Sequence, residues 1–186
     1  MSNFTQIRVA FTLAMLVLIG SLLGWQHFHS GVPSHHILQR ADLPELSNWW
    51  GLLVLPILSW TLLGRIESRL KKQTKPHNQG KQFKQILALF FLGLTMGLCI
   101  IISFTYDYKP FLDAVPFLFL VLSLFVPIYY SEFILGCILG MTYTFGALLP
   151  TAFVLILVGL GFLVYRFIRP LILKLILLVT TGNKKV

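Results

Sequence analysis

Apolar runs approaching about 20 residues recur along this chain, and that is the helical length needed to cross ~30 Å of hydrocarbon. Inside a bilayer every backbone N–H and C=O must be satisfied within the protein, which leaves helices and closed barrels. Barrel strands would show as short segments of alternating hydrophobicity. The runs here are continuously apolar, so the chain reads as all-α, a polytopic transmembrane helix bundle forming a single membrane domain over residues 1–186. The sequence is 56% hydrophobic and 11% charged, whereas a soluble domain carries about 25% charged residues. It lacks the charge to cover a water-facing surface.

Six spans are predicted, at about residues 7–25, 46–63, 86–104, 111–130, 133–149 and 151–168. The first resembles a secretory signal, with Arg8 ahead of an apolar core, but no small-residue cleavage site follows, so it is expected to stay as a span. Trp49 and Trp50 mark re-entry into the bilayer, where amphipathic aromatic rings concentrate. Pro56 is expected to kink the second span. Pro110 opens the fourth, Ser131 and Glu132 link it tightly to the fifth, and Pro150 separates the fifth from the sixth. Tail residues 170–186 hold an apolar stretch too short to cross, interrupted by Lys174, and are expected to lie in the interface.

The formal net charge is +9. In a soluble protein that would suggest nucleic acid, but here the cations sit beside apolar spans. The basic connector 65–85 holds Arg65, Arg69, Lys71, Lys72, Lys75, Lys81 and Lys84 against Glu67 alone. With six spans this connector, Arg8, Arg166, Arg169, Lys174, Lys184 and Lys185 share one side, leaving Arg40 and Lys109 on the other. Cytoplasmic loops carry the excess of Lys and Arg, so both termini are expected in the cytoplasm and the chain in a bacterial-type inner membrane. If Pro150 only kinked one long helix, the tail cations would fall outside, against that rule. The connector alternatively offers an anionic-lipid or nucleic-acid patch. The partners expected are the lipid bilayer and a second copy or membrane protein, with no nucleic acid.

Three glycine pairs at helical spacing, Gly20/Gly24, Gly93/Gly97 and Gly136/Gly140, would let helix backbones approach closely in lipid. Thr142 and Thr144 form a polar patch in the fifth span, either bonded back to their own helix or lining a solute path with Glu132. Glu132 itself reads as a residue of the turn near the fifth helix's start, or as a proton- or cation-handling group. Asp42-Leu-Pro-Glu45 has the spacing of a capping box for the second span, with Ser47 and Asn48 as a second capping choice. Cys99 and Cys137 lie within spans and suggest packing residues, not a disulfide.

The outer loop 26–45 concentrates His27, His29, His35 and His36 around Gly31 and Pro33, followed by Asp42. An H-x-H pair in extended chain points both rings the same way, and a reversal at Gly31 would bring the second pair to meet them. Imidazole is the commonest transition-metal ligand, so these four histidines and Asp42 are a candidate zinc or copper site. No H-E-x-x-H, C-x-x-C, Walker or dinucleotide motif accompanies them. Three function classes therefore stand. They are transport or binding of a small solute or metal ion, a membrane-embedded enzyme with a histidine-based metal or acid–base centre, and a non-catalytic subunit or assembly factor. A deep polar cavity, converging imidazoles or a bare packing face would separate them.

Overall fold

The computed structural model describes residues 3–29, 31–32, 34–36, 42, 45–72 and 79–182. Helix α1 spans Asn3–His29, and a short antiparallel ladder pairs β1 (Ser34–His36) with β2 (Glu45–Ser47). A 3-10 turn, Asn48–Trp50, leads into α2 (Gly51–Lys72), followed by α3 (Gln79–Thr105), α4 (Lys109–Phe125), α5 (Ser131–Phe145) and α6 (Leu148–Leu163). A π-helical turn, Val164–Ile168, joins α6 to α7 (Arg169–Gly182) without a break.

Four stretches are long and apolar enough to cross a membrane: Phe4–His29, Asn48–Lys72, Gly80–Thr105 and Leu148–Leu175. The remaining two helices, α4 with 17 residues and α5 with 15, are about 23–26 Å long at 1.5 Å per residue. α5 explains the arrangement of the rest. Its residues Ser131–Ile138 are all buried, which marks an apolar helix enclosed on every side. Phe133 is fully buried and meets Phe119 of α4 edge to face, with ring centroids 5.8 Å apart.

The closest partner of α5 is α3, and glycine is the reason. Gly93 and Gly97 of α3 press on the backbone at Phe133 and Cys137, while Gly136 and Gly140 of α5 press on Phe90 and Leu94. A Cβ on Gly140 would stand 2.8 Å from the Leu94 carbonyl oxygen and 3.0 Å from Gly97 Cα. Two of the three sequence pairs thus mesh backbone to backbone. The third does not, since Gly20 meets only Leu52 at 3.8 Å and Gly24 faces open space.

Several boundaries differ from the sequence reading. α2 runs on through the basic stretch to Lys72, so Arg65, Glu67, Arg69, Lys71 and Lys72 are helical and not loop residues. Glu45 belongs to β2, so the Asp42–Glu45 capping box is not formed; Ser47 caps instead, accepting from Trp49 N at 3.4 Å. Pro150 does not separate the fifth helix from the sixth but lies in the first turn of α6, where its missing N–H costs nothing. The break falls at Gly146, whose φ of 68° and ψ of −168° suit glycine alone, with Asn48 packed where a side chain would be. The tail is continuous with α6. Proline's ring clashes with the carbonyl four residues back, and the π-helical turn containing Arg166 accommodates Pro170 without ending the helix.

Candidate functional site

One end of the bundle gathers Arg8, Arg65, Glu67, Arg69, Lys71, Lys72 and Glu132. Ile66 and Leu70 alternate along α2 with Arg65, Ser68, Arg69 and Lys72, whose spacing puts the polar set on one helical face. Ile66 and Glu67 turn inward, at 2% and 6% exposure. The polar face lines an open groove of about 530 Å³, closed on its far side by Arg8 of α1. Gly64 lets Arg8 lie across α2: a Cβ there would come within 2.8 Å of the guanidinium carbon. Arg8 Nε donates to the Trp60 carbonyl at 2.9 Å, and its guanidinium stacks 3.7 Å from the Trp60 ring centroid.

Two buried carboxylates stand behind this basic face. Glu67 Oε1 accepts from Thr5 Oγ1 at 2.8 Å and Lys71 Nζ at 2.7 Å, with Arg8 3.5 Å from Oε2. Glu132, 1% exposed at the start of α5, accepts from Arg69 at 2.5 Å through Oε1. The Arg69 guanidinium also lies 4.1 Å from the Tyr130 ring centroid. A second void of about 40 Å³ adjoins it, bordered by Arg69, Gln82, Gln85 and Tyr130. The aromatic contacts continue from Tyr130 to Tyr129 and on to Tyr165, which carries Arg169 4.5 Å above its ring.

The charge balance of the groove is uneven. Arg8 and Lys71 answer Glu67, and Arg69 answers Glu132. Among the described residues no ion pair reaches Arg65 or Lys72. Two cations therefore face the groove uncommitted, beside a third that is shared. Arginine's planar fork matches phosphate or carboxylate bidentately, and lysine adds a point charge.

Thr142 and Thr144 lie away from the groove and the small void. Thr142 is buried and donates to its own Ile138 carbonyl at 2.8 Å, Thr144 is half-buried, and neither void reaches them. Thr142 lies ten residues beyond Glu132 on the same helix, about 15 Å along its axis.

His27 and His29 do not point the same way. α1 continues as a helix through His27 and His29, so residues two apart leave nearly opposite faces, about 160° apart. His29 stacks on Trp25 at 3.6 Å between ring centroids, with Nδ1 3.0 Å from the Trp25 carbonyl. His27 instead meets Trp49 edge-on at 6.1 Å. Asp42 is exposed in its turn. His35 and His36 pair by backbone with Leu46 and Glu45, and their side chains lie outside the described residues. Among the described residues no three His, Cys, Asp or Glu side chains come together to hold a metal ion.

The sequence offers an anionic-lipid patch in this stretch, but reading residues 65–85 as a loop misses the helical face that forms the groove. The signal was present: Arg65, Ser68, Arg69 and Lys72 fall at i, i+3, i+4 and i+7, the spacing of one helix face. Comparison with protein-family models, with curated proteins and with solved structures returns no match for this chain.

Proposed function

We propose that this chain is an integral membrane protein that binds a phosphate-bearing anion, as a lipid headgroup or a free solute, at the basic end of its helices. In this reading the chain makes six passes with both termini cytoplasmic in a bacterial inner membrane, so that the groove faces the cytoplasm. The observation that carries it is the groove of about 530 Å³ in which Arg65 and Lys72, with no carboxylate of their own among the described residues, stand beside Arg69. Ligand sites commonly measure about 300–1,000 Å³. The cytoplasmic leaflet carries anionic lipid and attracts such cations. Sites that recognise an anion by charge also need fixed geometry, and the Arg8–Trp60 and Arg69–Tyr130 stacks supply it.

The test is thermal melting of the full chain in neutral maltoside detergent. Two additions separate the sources, inorganic phosphate for a solute and dioleoyl phosphatidic acid for a headgroup. At a hundredfold excess over Kd the bound ligand raises Tm by about 5–10 °C, and Arg65→Gln/Lys72→Gln removes most of that rise. A double variant that responds as fully as the parent, or a parent that responds to neither addition, overturns the reading.

A further inference from the structure

The two buried acids behind the groove are provided for unequally. Glu67 is met by Thr5, Lys71 and Arg8. Glu132 is the more deeply buried, at 1% exposure, yet Arg69 alone answers its charge among the described residues, and its Oε2 has no hydrogen-bond partner there. A buried carboxylate with its counter-charge removed is heavily penalised, and protonation relieves the penalty.

Arg69 is also a wall of the groove, with its side chain 28% exposed. We propose, building on the anion-binding reading, that Glu132 is the proton site of the groove: an anion engaging Arg69 draws that charge away from Glu132, and the carboxylate takes up one proton as the anion binds. The proton comes from solvent and forms an O–H bond on Glu132. No bond in the anion is made or broken.

Among the described residues the surroundings leave no substitute for Arg69. Facing Glu132's end of α5, α3 contributes the neutral Gln82 and Gln85 beside the small void, with Lys81 and Lys84 exposed. The segment before α5 contributes Tyr129 and Tyr130. Arg169, beyond α6, lies over Tyr165, Arg166 is exposed, and Arg8 of α1 is committed to Glu67. Arg65 and Lys72 line the groove from α2 but form no ion pair with Glu132. Linkage makes the effect reciprocal. Protonating Glu132 releases Arg69 to the groove, so anion affinity rises as pH falls.

The experiment titrates the full chain in maltoside by calorimetry, in buffers of differing ionisation heat. The probes are inorganic sulfate, for the solute arm, and phosphatidylglycerol, for the headgroup arm; neither takes up a proton itself near neutral pH. The unaltered protein takes up close to one proton per probe bound, and its affinity climbs by up to about tenfold per pH unit, the limit for one proton. Glu132→Gln binds at all pH values as tightly as the parent does at low pH, and takes up no proton. Binding without proton uptake, or uptake that persists in Glu132→Gln, overturns the coupling and leaves the groove standing. Failure of both probes to bind overturns the groove and the coupling together. Should Glu132→Gln fold poorly, proton uptake by the unaltered chain still decides.

Discussion

At the scale of single residues, the Arg69–Glu132 and Lys71–Glu67 pairs have similar distances, 2.5 Å and 2.7 Å, and very different worth. Lys71 is 65% exposed and four residues from its partner, an arrangement worth about 0.3–0.5 kcal/mol. Glu132 is buried, so Arg69→Met strands a carboxylate and is expected to cost about 2–4 kcal/mol. Lys71→Ala is expected to cost no more than about 0.5 kcal/mol. Melting of the two variants beside the parent checks this contrast. Equal Tm losses for Arg69→Met and Lys71→Ala would show that the charge of Glu132 is met by other means.

At the scale of elements, the α3–α5 contact separates what sequence shows from what it conceals. Glycine spacing at 93/97 and 136/140 was legible as a packing signal, because glycine's only advantage inside a helix is the room it leaves. The identical spacing at 20/24 was legible too, yet Gly24 has nothing within 4 Å. Spacing names a face and not its partner. For the same reason the length of α2 was hidden: a helix that leaves the apolar core keeps its hydrogen bonds while losing its apolar marker, and only the i, i+3, i+4, i+7 run of Arg65, Ser68, Arg69 and Lys72 still reports it. The Arg69–Glu132 pair joins residues 63 apart in sequence, which no local pattern encodes. These contrasts make a paired test. Gly136→Ala drives a methyl into the Phe90 backbone and is expected to cost about 1–3 kcal/mol as overpacking. Gly24→Ala meets open space and is expected to be neutral or to stabilise by up to about 1 kcal/mol. Equal Tm changes for the two would mean that the helices slide to absorb the methyl.

At the scale of the whole molecule, the contacts sort the chain into two ends of opposite character. Arg8, Arg65, Arg69, Lys72, Tyr130 and Glu132 share the groove end. The other end brings His27 to Trp49, Asn48 to Gly146 and Phe104 to Phe145, and carries exposed Tyr106 and Tyr108 near Lys109. Cations concentrate on the cytoplasmic side of membrane proteins, and Trp and Tyr mark the interfaces. The expected orientation therefore puts the groove inside the cell, within reach of anionic lipid and of soluble phosphate compounds. Single cysteines placed in a Cys99→Ala/Cys137→Ala background test it. Ser34→Cys and Asp107→Cys, both exposed, are expected to react with a membrane-impermeant maleimide added to intact cells. Lys81→Cys, exposed at the start of α3, is expected to react only after the cells are opened. The reverse pattern would turn the groove to the outside, where neither the cytoplasmic leaflet nor intracellular anions reach it, and the anion would then have to arrive from the medium. Labelling of Ser34→Cys and Asp107→Cys from opposite sides would instead mean that the chain between α1 and α4 does not cross as an even number of helices, and that α2 or α3 lies along the membrane surface.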